Sequence, residues 1–253
     1  MLLVDVHAHL DLREFDSDLD DVIKRAEKAE VKAIVNNGLN PESNRKTLEL
    51  SKKYKIIKPA LGLYPDDALK LTEKEIENEL KFIEENKDKI IAIGEVGLDY
   101  KFCKDKKQQE KQKQTFIKLI KLSKKIKKPI IIHSRKAESD VIDLLRNSNA
   151  KNVILHCFSG NLKLVKIAED LSYSFSIPTN ITYSQHFQSL TKAVDINQIL
   201  TETDSPYLSP YKNRRNEPSF IIETIKKIAE IKNMSINEVA NNIFMNYQKV
   251  FCH

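Results

Sequence analysis

The sequence predicts an α/β fold, a single-domain TIM (β/α)8 barrel that spans residues 1–253. Three observations predict it. Short runs rich in Val, Ile and Leu alternate with longer amphipathic segments, as expected for buried parallel strands covered by helices. The length of 253 residues is usual for one such barrel. We find no internal repeat, low-complexity linker or break in composition that marks a second domain. An open, doubly wound sheet is the alternative.

The predicted strands share a nearly continuous apolar character, which indicates burial on both faces. They are 2–8, 31–37, 57–63, 90–96, 129–133, 152–157, 173–177 and 198–203. The helical patterns between them cover 18–30, 42–54, 72–87, 106–127, 137–148, 161–171 and about 185–194. Two more helical patterns, 218–232 and 236–250, follow the last strand. We therefore expect an extra C-terminal helix.

Residues that start helices support several of these segments. Thr72 and Glu75 have the spacing of a capping box, in which each residue bonds the backbone of the other. Pro41 suits the first turn of the second helix, and Ser17 and Ser235 are expected to cap the first and last helices.

Composition restricts the class of protein. A hydrophobic content of 41% is enough for a core, and a charged content of 31% is enough for a soluble surface. The net charge of +6 fits a polyanionic partner such as nucleic acid, although a biased genome gives the same composition. The three cysteines are widely spaced, which favours a reducing compartment over a disulfide framework. Without a secretory or membrane-spanning apolar run, we expect a cytoplasmic protein with no membrane contact and no obligate protein partner.

The first strand carries His7 and His9 near its end. Residues two apart in a strand point to the same side, so both imidazoles face one point. Two converging imidazoles form half of a site for a divalent metal. A pair of buried, hydrogen-bonded core histidines is the alternative for this motif taken alone.

The other chemically active residues also fall near the ends of predicted strands. Four of the six histidines have this placement, together with two carboxylates; the set is His7, His9, Glu95, His133, His156 and Asp204. Active sites of TIM barrels form at the C-terminal ends of the strands, so we expect these six side chains to meet there.

Six ligands exceed what one tetrahedral ion needs, which favours a two-metal site. We expect Glu95 to bridge the ions, with His7, His9 and Asp204 on one and His133 and His156 on the other. Glu95 and Asp204 are also the expected catalytic carboxylates. Imidazole ligands suit Zn²⁺ or Mn²⁺, whereas Mg²⁺ prefers oxygen.

These motifs resemble the TatD family of metal-dependent deoxyribonucleases. The resemblance runs from residue 5 to residue 251 and includes Asp5-Val6-His7-Ala8-His9-Leu10, Gly94-Glu95-Val96-Gly97-Leu98-Asp99-Tyr100, His133-Ser134-Arg135, His156-Cys157-Phe158-Ser159-Gly160, Glu202-Thr203-Asp204-Ser205-Pro206-Tyr207-Leu208 and Arg215-Asn216-Glu217-Pro218. It implies a TIM barrel and a site for two divalent ions, with Mg²⁺ or Mn²⁺ supporting turnover and Zn²⁺ also possible. It further implies hydrolysis of DNA phosphodiester bonds, of the 3′-to-5′ exonuclease type.

Four further residues are candidate substrate contacts. Arg135 follows His133 and suits a phosphate, with a structural ion pair as the alternative. Tyr64 stands where the family often has histidine; it can donate a hydrogen bond to a phosphate but is a poor proton shuttle near neutral pH. Ser159 precedes a helix whose backbone amides could hold an anion. Arg215 lies in the loop after the last strand, where a nucleic-acid groove or a solvated loop would both fit.

Tyr100 and Phe102 follow the fourth strand and are candidates to stack a terminal base.

Three other functions compete with the nuclease. Many hydrolases of the superfamily that cleave cyclic amides or esters carry a modified lysine on strand four, and the absence of lysine between Ile90 and Tyr100 disfavours that group. Deacylation of aminoacyl-tRNA would also suit a basic surface. A barrel that only binds nucleic acid has no need of six ligands.

Overall fold

A computed structural model describes residues 1–101, 103 and 105–252. The strands are β1 (Leu3–Ala8), β2 (Val31–Asn37), β3 (Ile57–Leu61), β4 (Ala92–Asp99), β5 (Ile130–Arg135), β6 (Val153–His156), β7 (Ser174–Pro178) and β8 (Ile199–Glu202). They form one sheet in chain order, and each neighbouring pair is parallel. A bridge between Ala8 and Ser205 joins β1 to the end of β8, and the Asp204 amide donates to the His7 carbonyl at 2.8 Å. The predicted TIM barrel is confirmed.

The α-helices are α1 (Leu19–Lys28), α2 (Pro41–Lys53), α3 (Pro65–Leu69), α4 (Glu73–Glu85), α5 (Lys106–Ile126), α6 (Glu138–Asn147), α7 (Leu162–Asp170), α8 (Gln185–Ala193), α9 (Ile221–Lys232) and α10 (Ile236–Phe251). Short 3-10 helices lie at Arg13–Phe15, Thr179–Thr182, Ile196–Gln198 and Pro218–Phe220. The short α3 and these 3-10 turns were not predicted, because segments of three to five residues are too short to show helical periodicity.

Helix starts agree with the sequence at two capping boxes. Thr72 and Ser235 each accept from a backbone amide three residues later, and the glutamate there bonds back. The expected cap at Ser17 is wrong: α1 begins at Leu19, so Asp18 takes the cap position. The Asp18 carboxylate makes no capping bond, because it pairs with Arg215 instead.

The extra C-terminal helix is confirmed as α10, which packs against β1, β8 and α9. The Asn246 amide donates to the carbonyls of Ile196 and Ile199 at 2.7 and 2.8 Å, which fixes α10 to the start of β8. Within the described ranges, no helix is both long and apolar enough to cross a membrane.

Strand β4 differs from the prediction in a way that matters for the site. It was expected to end near Glu95 but continues to Asp99, paired with β5 up to Asp99 and Arg135. The continuation needs Gly97, which has φ of 147° and lies so close to the His133 carbonyl that a Cβ would be 2.0 Å from that oxygen. The longer strand brings Asp99 beside β5.

Candidate metal centre

The six predicted ligands meet at the C-terminal end of the barrel. His7 lies in β1, Glu95 in β4, His133 in β5 and His156 at the end of β6. His9 and Asp204 lie just beyond β1 and β8, and Asp204 adopts a positive φ of 57°. The side chains of all six residues are buried or nearly so, with exposed fractions between 0 and 14%.

Glu95 lies between two groups of imidazoles. Its Oε2 is 3.3 Å from Nε2 of His7 and 3.4 Å from Nε2 of His9. Its Oε1 is 2.7 Å from Nδ1 of His133 and 4.0 Å from Nε2 of His156. The two oxygens of one carboxylate therefore face separate pairs of imidazoles.

Asp204 adds a second carboxylate to this arrangement. Its Oδ1 is 3.5 Å from Nε2 of His9, 3.8 Å from Nε2 of His7 and 3.9 Å from Nε2 of His156. The Nε2 atoms of His7 and His9 are only 3.1 Å apart. Two nitrogen lone pairs this close repel each other. A proton or a cation is therefore needed between these nitrogens and the carboxylate oxygens that face them.

Glu202 contacts one imidazole of the cluster, that of His156. The sequence alone did not single it out as a site residue. Its Oε2 is 2.8 Å from Nδ1 of His156 and accepts from Ser176 Oγ at 2.5 Å, while its Oε1 accepts from the Cys157 amide at 3.0 Å. Such a carboxylate fixes the orientation of an imidazole whose other nitrogen binds a metal. The sequence did contain a signal for Glu202. It lies two residues before Asp204, and residues two apart in a strand point to the same side of the sheet.

Asp99 is a second supporting carboxylate that the sequence analysis missed. Its Oδ2 lies 3.1 Å from Nε2 of His133, and it accepts from Arg135 Nε at 2.7 Å and from the Tyr64 hydroxyl at 2.8 Å. His9 is oriented separately, since its Nδ1 lies 3.0 Å from the Asn37 carbonyl. Asp99 was overlooked because β4 was expected to end before it.

Burial and neighbouring charges set the protonation of the cluster. Burial lowers the pKa of His7 to about 3, with a further contribution from His156. Burial also opposes charge on His156, but Glu202 and Asp204 outweigh it and raise the pKa to about 9. Burial favours the neutral acid of Glu95, yet the surrounding imidazoles hold the pKa of that carboxyl well below its usual range. Glu95 is therefore ionised and His7 neutral, the forms that bind metals, whereas His156 would release its proton when a metal binds.

The donor set fits divalent cations. The carboxylates within 4.0 Å of an imidazole nitrogen of the cluster include Glu95, Asp99, Glu202 and Asp204, and the guanidinium of Arg135 pairs with Asp99. Buried charge of one sign is balanced by counter-charges or by metal ions. Two sets of ligand atoms, each within 4.8 Å, share Glu95: one with His7 and His9, the other with His133 and His156. His7 Nδ1 is a buried atom with no partner among the described residues, so only its Nε2 takes part.

A cavity of about 530 Å³ opens above the cluster. Besides five of the six ligands, its walls contain Leu39, Tyr64, Asp66, Asp67, Lys70, Arg135, Tyr207 and Leu208. Two of the four candidate substrate contacts, Arg135 and Tyr64, are thus brought to the ligands.

The other two candidate substrate contacts lie elsewhere. Ser159 is exposed, and its hydroxyl donates to Glu138 Oε1 at 2.8 Å. Arg215 bonds both carboxylate oxygens of Asp18, at 2.9 and 2.7 Å. Neither residue lines the cavity above the ligands. The Tyr100 hydroxyl donates to Asp140 at 3.0 Å, and Phe102 lies outside the described residues.

Comparison with known proteins agrees with the geometry. A profile of the family described as TatD related DNase matches residues 4–252. Deoxyribonuclease TATDN3 of Homo sapiens is 38% identical over 258 residues, which cover 98% of this chain and 94% of that protein. An uncharacterized metal-dependent hydrolase of Methanocaldococcus jannaschii is 37% identical over 248 residues, or 98% of this chain and 96% of that protein. The crystal structure of YJJV, a TatD homolog from Escherichia coli K12, superposes with a TM-score of 0.91 at 26% identity, covering 99% of this chain and 98% of that one.

Proposed function

Since this chain belongs to the TatD-related deoxyribonuclease family and is a metal-dependent hydrolase, we propose that it cleaves DNA phosphodiester bonds with two divalent ions. We further propose that it acts from the 3′ end of the strand and works in the cytoplasm without an obligate protein partner. Mg²⁺ or Mn²⁺ would support turnover, and Zn²⁺ is a further candidate ion.

The division of Glu95 between two pairs of imidazoles carries the two-ion proposal. His7, His9 and Asp204 would hold one ion, His133 and His156 the other, and Glu95 both. Two ions held about 3.5–4 Å apart orient a phosphodiester and stabilise the charge on the attacking and leaving oxygens.

The chain's own side chains have separable tasks. Arg135, held by Asp99 through Nε and Nη2 at 2.7 and 2.6 Å, presents a fixed positive charge to the cavity and would bind a phosphate oxygen. The Tyr64 hydroxyl donates to the same carboxylate, and burial keeps the pKa of that phenol above its usual range, so Tyr64 stays neutral. Tyr64 therefore positions groups in the cavity and carries no negative charge.

Asp204 is the candidate to accept a proton from the attacking water. Burial favours its neutral form, but His156 and His9 outweigh it and lower the pKa, so the carboxylate is ionised and can accept a proton. Glu95 is ionised as well, but imidazoles occupy both its oxygens. We assign proton transfer to Asp204 and bridging to Glu95.

Two measurements test the proposal. Titration of metal-free protein with Mn²⁺ should reach two ions per chain, and the fully loaded enzyme should shorten a 5′-labelled DNA strand stepwise from its 3′ end. One ion per chain at full activity would contradict the two-ion site. Internal cleavage products would contradict the exonuclease, and release of amino acid from aminoacyl-tRNA without any DNA cleavage would make the deacylase the better assignment.

A further inference from the structure

Three exposed tyrosines lie in or beside the loop that follows β8. Tyr183, Tyr207 and Tyr211 are 62%, 52% and 41% exposed. Over the ranges that the structure describes, no other tyrosine or phenylalanine reaches this exposure. Aromatic rings are normally buried, so three exposed rings at one end of the barrel indicate a surface that receives a ligand.

The loop after β8, which carries Tyr207 and Tyr211, is held by several hydrogen bonds. The Tyr207 amide donates to the Asp204 carbonyl at 2.8 Å, and the Asn216 side chain donates to the Tyr207 carbonyl at 2.6 Å. Thr179 Oγ1 donates to the Leu208 carbonyl at 2.8 Å. A loop fixed at successive carbonyls loses little entropy when a ligand packs on its side chains.

The tyrosines form a path that leads from the metal centre. The Tyr207 ring lines the cavity above the ligands, with its centroid 6.5 Å from that of His9. Leu208 lines both this cavity and an adjoining groove of about 790 Å³, whose walls include Tyr183 and Tyr211. We call this second space the tyrosine groove.

The charge of the tyrosine groove suits a polyanion. Lys212 and Arg214 line it, and none of its described lining residues is a carboxylate. The groove on the other side of Tyr207 has the opposite character, because its walls contain four carboxylates and two cations: Asp11, Glu14, Asp16, Glu42, Arg13 and Lys46. A chain of phosphates that leaves the metal centre is therefore attracted toward the tyrosine groove and repelled on the other side.

We propose that single-stranded DNA runs from the cavity above the ligands into the tyrosine groove. Its bases stack on Tyr207 in the cavity wall and on Tyr211 and Tyr183 in the groove, and its phosphates lie beside Lys212 and Arg214. This inference rests on the proposed nuclease function and adds the surface that holds the strand. Every base has a flat face, so stacking accepts any sequence. Bases inside a duplex already cover each other's faces, so the groove selects unpaired strands.

Binding to the metal-loaded protein tests the proposal. The probes are a fluorescent oligothymidylate with phosphorothioate linkages, which resist hydrolysis, and an abasic strand of equal length and charge. Wild-type protein should bind the thymidylate more tightly. Tyr211→Leu and Tyr207→Leu should each weaken that binding by about 5- to 100-fold, and Tyr→Phe at the same positions should keep it.

Tyr54→Leu is the matched control. Tyr54 follows α2 at the opposite end of the barrel and bonds Asp20, so its loss should leave DNA binding unchanged. Circular dichroism and thermal melting show that each variant is folded.

Equal affinity of wild-type protein for the two probes, or wild-type affinity in folded Leu variants, would overturn the proposal. Tighter binding of a matched oligouridylate would replace DNA by RNA as the occupant. The proposed function fails separately, because it is judged by whether wild-type protein digests ordinary DNA in the same buffer. An enzyme that digests DNA but ignores the tyrosine substitutions would refute the groove alone.

Discussion

Two polar clusters near the mouth of the barrel use the same kinds of side chain in opposite ways. The ion-pair cluster consists of Asp18, Arg25, Arg215 and Glu217. In it, Arg215 Nη2 lies 2.7 Å from Asp18 Oδ2 and Arg25 Nη2 lies 2.7 Å from Glu217 Oε2, so two carboxylates meet two guanidiniums. The second cluster consists of the six candidate metal ligands, in which the carboxylates of Glu95 and Asp204 face imidazole nitrogens.

The difference shows how polar residues that stabilise a fold can be told from those that bind a ligand. A cluster whose charges cancel needs nothing further, and its removal changes stability. A buried cluster of carboxylates and imidazoles is balanced by protons that a metal ion can replace, and its removal changes chemistry.

The largest effect is expected for Glu95→Gln, which keeps the shape of the side chain and removes its charge. Metal-dependent DNA hydrolysis should fall by about 10³-fold, since loss of one charge-stabilising group costs about 10²–10³ in other enzymes. Initial rates at saturating Mn²⁺ measure it.

Glu217→Gln is the matched control, because it makes the same change in the ion-pair cluster and should keep the wild-type rate. Near-normal turnover by Glu95→Gln would remove Glu95 from the proposed site. A comparable loss in Glu217→Gln would erase the distinction between the clusters.

Loss of Arg135 should lower kcat/KM for DNA by about one to two orders of magnitude, whereas loss of Arg215 should hardly change it. Arg135→Ala removes a guanidinium that lines the metal cavity, and kcat/KM for DNA should fall by about 10- to 100-fold, the value of a hydrogen bond to a charged group. Arg215→Ala removes one that pairs with Asp18 and should change kcat/KM less than about threefold. If the two variants lost equal activity, both arginines would have to contact substrate.

Loss of the Glu202 charge, which orients His156, should weaken metal binding. Glu202→Gln leaves the His156 nitrogen near a poorer acceptor, and Mn²⁺ affinity should drop by about 10- to 100-fold. Calorimetric titration measures the affinity, and added Mn²⁺ should restore much of the activity. Unchanged affinity would mean that Glu202 only holds the fold.

The smallest effect is on stability. Glu217 is buried against Arg25 and accepts from Ser219, and Glu217→Gln should lower the free energy of unfolding by about 1–2 kcal/mol in urea at pH 7. Burial opposes the ionised form, but Arg25 and Ser219 outweigh it and hold the pKa of Glu217 below its usual range. The contribution is therefore complete above about pH 4.3, the ordinary glutamate value, and is lost as the pH falls through the lower folded-state pKa.

A difference between wild-type protein and Glu217→Gln that grew on acidification would contradict this sign. The rate of DNA hydrolysis by Glu217→Gln, measured in parallel at neutral pH, should equal that of wild-type protein.

The sequence by itself determined the barrel and the convergence of the six candidate metal ligands at one end of it. Strands such as Ile130–Arg135 are apolar runs bounded by helical patterns, and burial on both faces is a local property of composition. Parallel strands bring their C-terminal ends to one side, so His133 and His156 had to lie near His7 once the barrel was recognised. The capping box at Thr72 and the cap at Ser235 are local as well, and both formed.

Only the tertiary structure decided how those residues are connected. Glu202 and Asp99 orient His156 and His133, and Arg215 binds Asp18, 197 positions away in the chain. The sequence placed Arg215 among substrate contacts because its type and its loop suit a phosphate. Which acceptor a guanidinium reaches depends on strand register and loop path, and these follow from packing across the whole barrel. Local patterns fix which residues face inward, whereas the partner of each polar atom is fixed by distances between segments far apart in the chain.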